Sequence, residues 1–221
     1  MTRVLVTGTD RPVGKAILPR LVKYDLTPVA AVGDPVGPVM VIDHDLIADG
    51  QVGVELDTHP TINAALENIS AVIHAADVRP GASADIAETA RALAAACADR
   101  GVHLIWLSRV GTEQSSIAHR KKLWQAEQVL EQTEGLAYTI QRVTHTHDSV
   151  EKLMQAKWLP LPSATPMQPV SPNDVAFRIV GLVQAGASQR NVMNEALAGV
   201  HVTQTGDRGT ETFRAWLKAD S

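Results

Sequence analysis

The chain has 221 residues, 45% hydrophobic and 20% charged, which is long enough to bury a core without disulfide or metal staples. Its net charge of −4 divides into nine basic and thirteen acidic residues up to Val110 and eleven of each beyond it, so no nucleic-acid partner is expected. Cys97 stands alone, which excludes an intramolecular disulfide, and no apolar run approaches the roughly 20 residues of a membrane span. The opening Met1-Thr2-Arg3 runs straight into apolar residues without a signal-peptide h-region, so a cytoplasmic protein with no membrane partner is expected.

Strand and helix signals alternate along the first half. Val4 to Thr7 is a short apolar run ending at Gly8, the mark of a buried parallel strand, and Val13 to Tyr24 reads as a helix. Pro19 falls inside that helix and is expected to kink it. Pro28 to Val32 is a second strand and Val52 to Leu56 a third, after a proline-containing loop. Thr61 to Glu67 is a short helix and Ala71 to Ala76 a fourth strand. Ala84 to Arg100 is a helix stopped by Gly101, and His103 to Ser108 a fifth strand.

The pattern continues with longer gaps. Ser115 to Glu134 is a helix with Ile117, Leu123, Ala126 and Leu130 on one stripe, and Ala137 to Val143 is a sixth strand. From Thr144 to Pro172 repeated prolines predict irregular chain. Asn173 to Gln184 is helical with Asn173 as its N-cap. A further strand is expected near Val192 or over Gly199 to Thr203, and a last helix over Thr210 to Ala219. Such alternation predicts an α/β fold: a doubly wound, Rossmann-like parallel sheet with helices on both faces. One domain over residues 1–221 is expected, with 144–172 and 190–221 contributing a small C-terminal cap.

The stretch VLVTGTDRPVGKAI carries the strongest chemical signal. A strand ends at Gly8 and a helix opens at Gly14, where a dinucleotide pyrophosphate sits against helix N-terminal amides. Gly8 permits the tight turn and Gly14 the close packing of helix on strand. The middle glycine is replaced by Arg11 and Pro12, which crowd the phosphates. The candidate dinucleotide contacts in this loop are Gly8, Thr9, Asp10, Arg11, Val13 and Gly14.

This loop, with four further segments in the same order, resembles the short-chain dehydrogenase/reductase superfamily. The resemblance is closest to its atypical NmrA-like members and to compact flavin- and biliverdin-reductase-like proteins. VGVELDTHPTINAALENISAVIHAA is similar to the third-to-fourth-strand segment of that superfamily, and HLIWLSRVG to its fifth strand ending in serine. AEQVLEQTEGLAYTIQRV resembles its next helix and strand, and PVSPNDVAFRIV its late helix. The resemblance implies NAD or NADP as cofactor. Asp34, at the end of the second strand, tilts the choice slightly toward NAD, because an acid there bonds ribose hydroxyls and repels a 2′-phosphate. It also implies adenine contacts at Glu55 and Leu56, beside Asp57, and room for the ribose at Ala75, Ala76 and Asp77.

The superfamily's acid/base pair is Tyr-x-x-x-Lys, and this chain lacks it. With Ala126-Glu127 aligned to the family's Ala-Glu, His119 takes the tyrosine position and Leu123 the lysine position. A register shifted by one pairs Ala118 with Lys122. The candidate catalytic residues are therefore Ser108, which matches the family's serine, with His119, whose free pKa lies near neutrality, and Lys122. His145 and His147 flank one residue and Asp148 follows, but no third ligand is evident and no metal is expected.

The implied function is an NAD(P)-binding oxidoreductase. It would move hydride to or from a small, mainly apolar carbonyl, quinone or flavin-like molecule. The alternatives are a catalytically degenerate sensor or assembly subunit, with a protein partner or a second copy, and a non-redox isomerase or cyclase. The ligand pocket is expected to be mainly apolar, between Ser108, Arg142 to Thr144 and the segment from Trp158 to Pro172.

Overall fold

The computed structural model describes residues 2–32, 39–43, 56–59, 61–75, 86–155, 169–186 and 192–197. Its strands are β1 (Thr2–Thr7), β2 (Leu26–Val32), β3 (Val39–Asp43), β4 (Leu56–His59), β5 (Ala71–His74), β6 (His103–Arg109), β7 (Tyr138–Val143) and β8 (Val192–Leu197). The helices are α1 (Pro12–Lys23), α2 (Ile62–Ala65), α3 (Ile86–Arg100), α4 (Ala118–Gln132), α5 (His147–Gln155) and α6 (Pro172–Ala185). They build one sheet in the order β4-β3-β2-β1-β5-β6-β7-β8. From β2 across to β8 every neighbouring pair is parallel.

Alternating side chains send each strand's apolar residues to two cores. Leu5, Val72, Leu104 and Ile140 pack under α2, α3 and α4 on one face. Val4, Val6, Ile73 and Ile105 pack under α1 and α6 on the other. A sheet covered on both faces explains why its strands read as near-continuous apolar runs. The fold is thus the expected doubly wound α/β domain.

The structure departs from the sequence reading beyond β2. The third strand expected at Val52 to Leu56 is β4, beginning at Leu56. An additional strand, β3, precedes it. β2 pairs antiparallel with β3, and β3 antiparallel with β4, so this edge is a meander and not a βαβ unit. The run VMVID is apolar enough for a strand, but it lies just after Pro35 and Pro38, which the sequence reading took as marking one continuous loop.

Four local points bear on the expected elements, and one of them, β8, supplies the strand expected near Val192. Pro19 lies within α1 without ending it. Both Pro19 and Lys15, whose carbonyl would have met the missing amide, are exposed. The cap of α6 is Ser171, not Asn173: its hydroxyl accepts from the Asn173 amide, and Pro172 occupies the first helical position, where proline is preorganised. The segment expected to be irregular from Thr144 to Pro172 contains α5. Within the C-terminal part of the expected cap, β8 joins the main sheet beside β7. Residues 156–168 and 198–221, including most of the Trp158–Pro172 segment and the helix expected at Thr210–Ala219, lie outside the described residues.

Candidate functional site

Strand order reverses on either side of β1, and ligands of open α/β sheets gather at the carboxyl ends of strands beside such a reversal. β1 leaves the sheet there through Gly8, whose φ of 72° is the left-handed conformation glycine adopts freely. The chain turns back at once, with the Arg11 amide donating to the Gly8 carbonyl at 3.0 Å. α1 then starts at Pro12 and presses its first turn onto the loop. A Cβ on Gly14 would collide with the Gly8 carbonyl oxygen and lie 2.8 Å from its carbon and 2.9 Å from Thr9 Cα. Gly14 therefore performs the close-packing role its spacing suggested. No side chain caps α1, and its first turn holds no acid, so its first amides are left to water or a ligand.

A cleft with an enclosed volume of about 40 Å³, open to solvent at its mouth, adjoins this turn. Arg11, Pro12 and Val13 form one wall, Ala75 follows β5, and Ser108 and Val143 come from the ends of β6 and β7. Leu123 enters from α4, and Thr146 and Asp148 from the start of α5. Thr9 is half-buried and Asp10 exposed, and the Asp10 carboxylate sits 3.1 Å from Arg11 Nε.

Ser108 is 3% exposed, and its hydroxyl has no hydrogen-bond partner among the described residues. The register puts Thr7, His74 and Trp106 in one row across β1, β5 and β6, so Ser108 stands two residues beyond that row, toward the cleft. His74 and Trp106 are stacked at 4.1 Å, and His74 Nδ1 meets the Thr7 hydroxyl at 2.8 Å. Burial pushes the His74 imidazole down to about 3, so it is neutral at ordinary pH.

The other expected site residues divide. His119 is half-buried one turn before Leu123, and Leu123 reaches the cleft while His119 is not among its lining residues. Lys122 is exposed. The register that puts leucine in the family's lysine position is thus the one whose side chain faces the cleft. Leu56 opens β4, level with Val6 and three strands away from it, whereas the strand signals in the sequence had it closing a strand. Asp34, Glu55, Ala76 and Asp77 lie outside the described residues.

Arg142 does not line the cleft. Its guanidinium bonds the fully buried Glu127 carboxylate through Nη2 at 2.6 Å and Nε at 3.3 Å, and Nη1 reaches Glu113 at 3.2 Å. Burial opposes the guanidinium charge, but the Glu127 hydrogen bond and the two acids hold its pKa above the ordinary value. This clamp ties α4 and the β6–α4 loop to β7, and so fixes the walls that carry Leu123 and Ser108. Sequence reasoning takes His145-Thr146-His147-Asp148 as polar loop at the substrate mouth and singles out neither the helix that starts there nor Asp148 as the acid that lines the cleft.

The sheet order, the reversal at β1 and the glycine turn define a Rossmann-like fold. No protein-family model and no curated protein matches the chain. Among solved structures, it is similar to a short-chain dehydrogenase/reductase superfamily protein from Agrobacterium tumefaciens with bound NAD. That match has 16% identity over 89% of this chain and 77% of that one, with a TM-score of 0.56. It is similar also to the Citrobacter sp. triphenylmethane reductase complexed with NADP(H), at 17% identity, 88% and 69% coverage and a TM-score of 0.60. An NADPH-dependent quinone oxidoreductase from Escherichia coli, complexed with NADPH, matches at 14% identity, 89% and 69% coverage and a TM-score of 0.63. Identities this low concern the fold. Among the described residues, no helix is long and apolar enough to cross a membrane.

Proposed function

We propose that the chain binds a nicotinamide dinucleotide along the carboxyl edge of the sheet and acts as an atypical short-chain-dehydrogenase-like oxidoreductase on a small, mainly apolar molecule. One observation carries this reading: the bare Cα of Gly14 against the Gly8 carbonyl, which brings an uncapped helix N-terminus to the mouth of a cleft. The loop from Gly8 through Thr9, Asp10 and Arg11 to Val13 and Gly14 holds the pyrophosphate. Pro12 removes one amide donor from that turn and Arg11 narrows it. Ala75 leaves room for the ribose beside the nicotinamide.

When bound, the nicotinamide supplies hydride chemistry. The chain supplies position: Val13, Leu107, Leu123 and Val143 make the cleft wall apolar, and the Ser108 hydroxyl orients the ligand's polar atom. NAD is favoured over NADP on this reading, because Asp34 repels a 2′-phosphate and Arg11 already lies beside Asp10. Lys122, exposed on α4, takes no part.

A sensor or assembly subunit is the second reading, and a specific feature favours it. Leucine stands in the cleft at the lysine position, and both tyrosines are remote: Tyr24 caps the far end of α1 and Tyr138 opens β7 at the opposite edge of the sheet.

Titration with NADH and NADPH, followed by nucleotide fluorescence, tests the proposal. Binding is expected in the parent and several-fold tighter in Arg11→Gly/Pro12→Gly. No binding at millimolar nucleotide in either protein sinks it. Binding without turnover on a panel of aldehydes and quinones selects the sensor.

A further inference from the structure

Apolar side chains make up much of the cleft wall, and three buried polar atoms of its lining have no hydrogen bond among the described residues: Arg11 Nε, which is ion-paired with Asp10 at 3.1 Å, and two groups with no such pairing. Ser108 Oγ is buried without a hydrogen-bond partner among the described residues, and so is Oδ1 of Asp148, in the first turn of α5. Both residues line the same cleft. The other Asp148 oxygen lies 3.7 Å from the exposed ammonium of Lys152, so that contact does not satisfy Oδ1. A buried carboxylate oxygen without a donor is costly, and proteins resolve such atoms with a ligand group or an ordered water.

The chemistry of the pair restricts what can resolve it. An ionised carboxylate only accepts hydrogen bonds, whereas a serine hydroxyl both donates and accepts. A ketone or quinone oxygen satisfies Ser108 and leaves Asp148 bare. A group that donates one hydrogen bond and accepts another satisfies both. Arg11 and Arg109 line the cleft as well, and their charge offsets the attraction of the Asp148 carboxylate for a cation such as an alkylammonium. A neutral hydroxyl on an apolar body meets every condition.

We propose that the cleft binds a small apolar alcohol, with the hydroxyl donating to Asp148 Oδ1 and accepting from Ser108 Oγ. This deepens the proposed function, resting on its reading of the cleft as the substrate side. It assigns a recognition role to Asp148, for which the sequence pattern gave no role of its own.

The probes are benzyl alcohol, toluene and benzylamine, with affinities measured by ligand-observed NMR on the full chain, with and without NADH. Benzyl alcohol should bind about tenfold or more tightly than toluene, as one hydrogen bond to a charged group allows, and more tightly than benzylamine. Asp148→Leu removes the unmatched charge in a similar volume and should remain folded by circular dichroism. The preference for alcohol over toluene should vanish in it, and Ser108→Ala should reduce that preference in part. Equal binding of alcohol and toluene overturns the proposal, as does undetectable binding of both, or a preference that survives in Asp148→Leu. Equal binding is also the outcome expected if Oδ1 merely holds a water. The nucleotide-free arm separates the two ideas: failure to bind NADH removes the oxidoreductase reading, while an alcohol preference erased by Asp148→Leu still upholds the recognition site.

Discussion

On the β5–β8 side of β1, parallel strands are spanned by helices: α3 lies between β5 and β6, and α4 between β6 and β7. On the other side the chain folds back as an antiparallel meander, β2 to β3 to β4. The first side carries the cleft and its anchoring ion pair, and matches the expected order of elements. The second keeps only β2 in the expected position. A Rossmann-like sheet therefore preserves its β1 turn and one wing while the opposite wing is rebuilt. Leu56 shows the extent of the change: its strand is present, but it sits one place further out and begins where the sequence reading had it end.

The anchored wing should break most sharply at Glu127. Glu127→Leu leaves Arg142 buried with only the half-exposed Glu113 beside it, and removing one partner of a buried pair costs about 3 kcal/mol or more. Urea denaturation should show that loss, and Glu127→Leu/Arg142→Met should recover most of it. A single variant within about 1 kcal/mol of the parent would mean the clamp does not organise this wing.

Gly14→Ala comes next, at the junction of the wings. Alanine normally stabilises a helix interior relative to glycine by about 1 kcal/mol. Here its methyl group meets backbone rather than a movable side chain, so a loss of about 2–3 kcal/mol is expected, with NADH binding abolished. Unchanged nucleotide affinity would separate the turn from the cofactor.

What the sequence made legible follows the same division. β1, Gly8, α1 and Gly14 were readable because an apolar run, a turn glycine and a packing glycine fall at fixed spacing in one short segment. Ser108 was readable as the end of an apolar strand. β3 was not, because Pro35 and Pro38 mark a break without saying whether the chain then crosses over or turns back. α5 was hidden by its polar start: His147 and Asp148 read as loop, although Asp148 is placed in the cleft by the turn that follows β7. The Glu127–Arg142 pair joins residues fifteen apart on different elements, and only the packing of α4 against β7 reveals it.

His74 tests the row where β1, β5 and β6 meet. Its folded pKa of about 3 lies below the unfolded value of 6.5. Between those values the unfolded chain holds a proton that the folded chain refuses, so stability falls as pH drops through this window. The slope is about 1.4 kcal/mol per pH unit, or about 2 kcal/mol by pH 5. His74→Phe keeps an aromatic ring against Trp106 and removes the titrating group. Its stability, compared with the parent by urea denaturation at pH 7 and pH 5, should fall less. Parallel losses in the two proteins would show that carboxylates elsewhere govern the acid response.

The smallest effect concerns Gly181, in the middle of α6, the helix packed against α1. Like Gly14 it lies within a helix, but it is exposed, and a Cβ there meets nothing within 4 Å. Gly181→Ala should therefore act only through backbone entropy and raise stability by about 0.5–1 kcal/mol. Measured beside Gly14→Ala, it is the control that gives the larger loss its meaning. The same substitution in two neighbouring helices should shift the urea midpoint in opposite directions. If both variants were stabilised, Gly14 would be an ordinary helix residue, and the contact with the Gly8 carbonyl would no longer support a phosphate-binding turn.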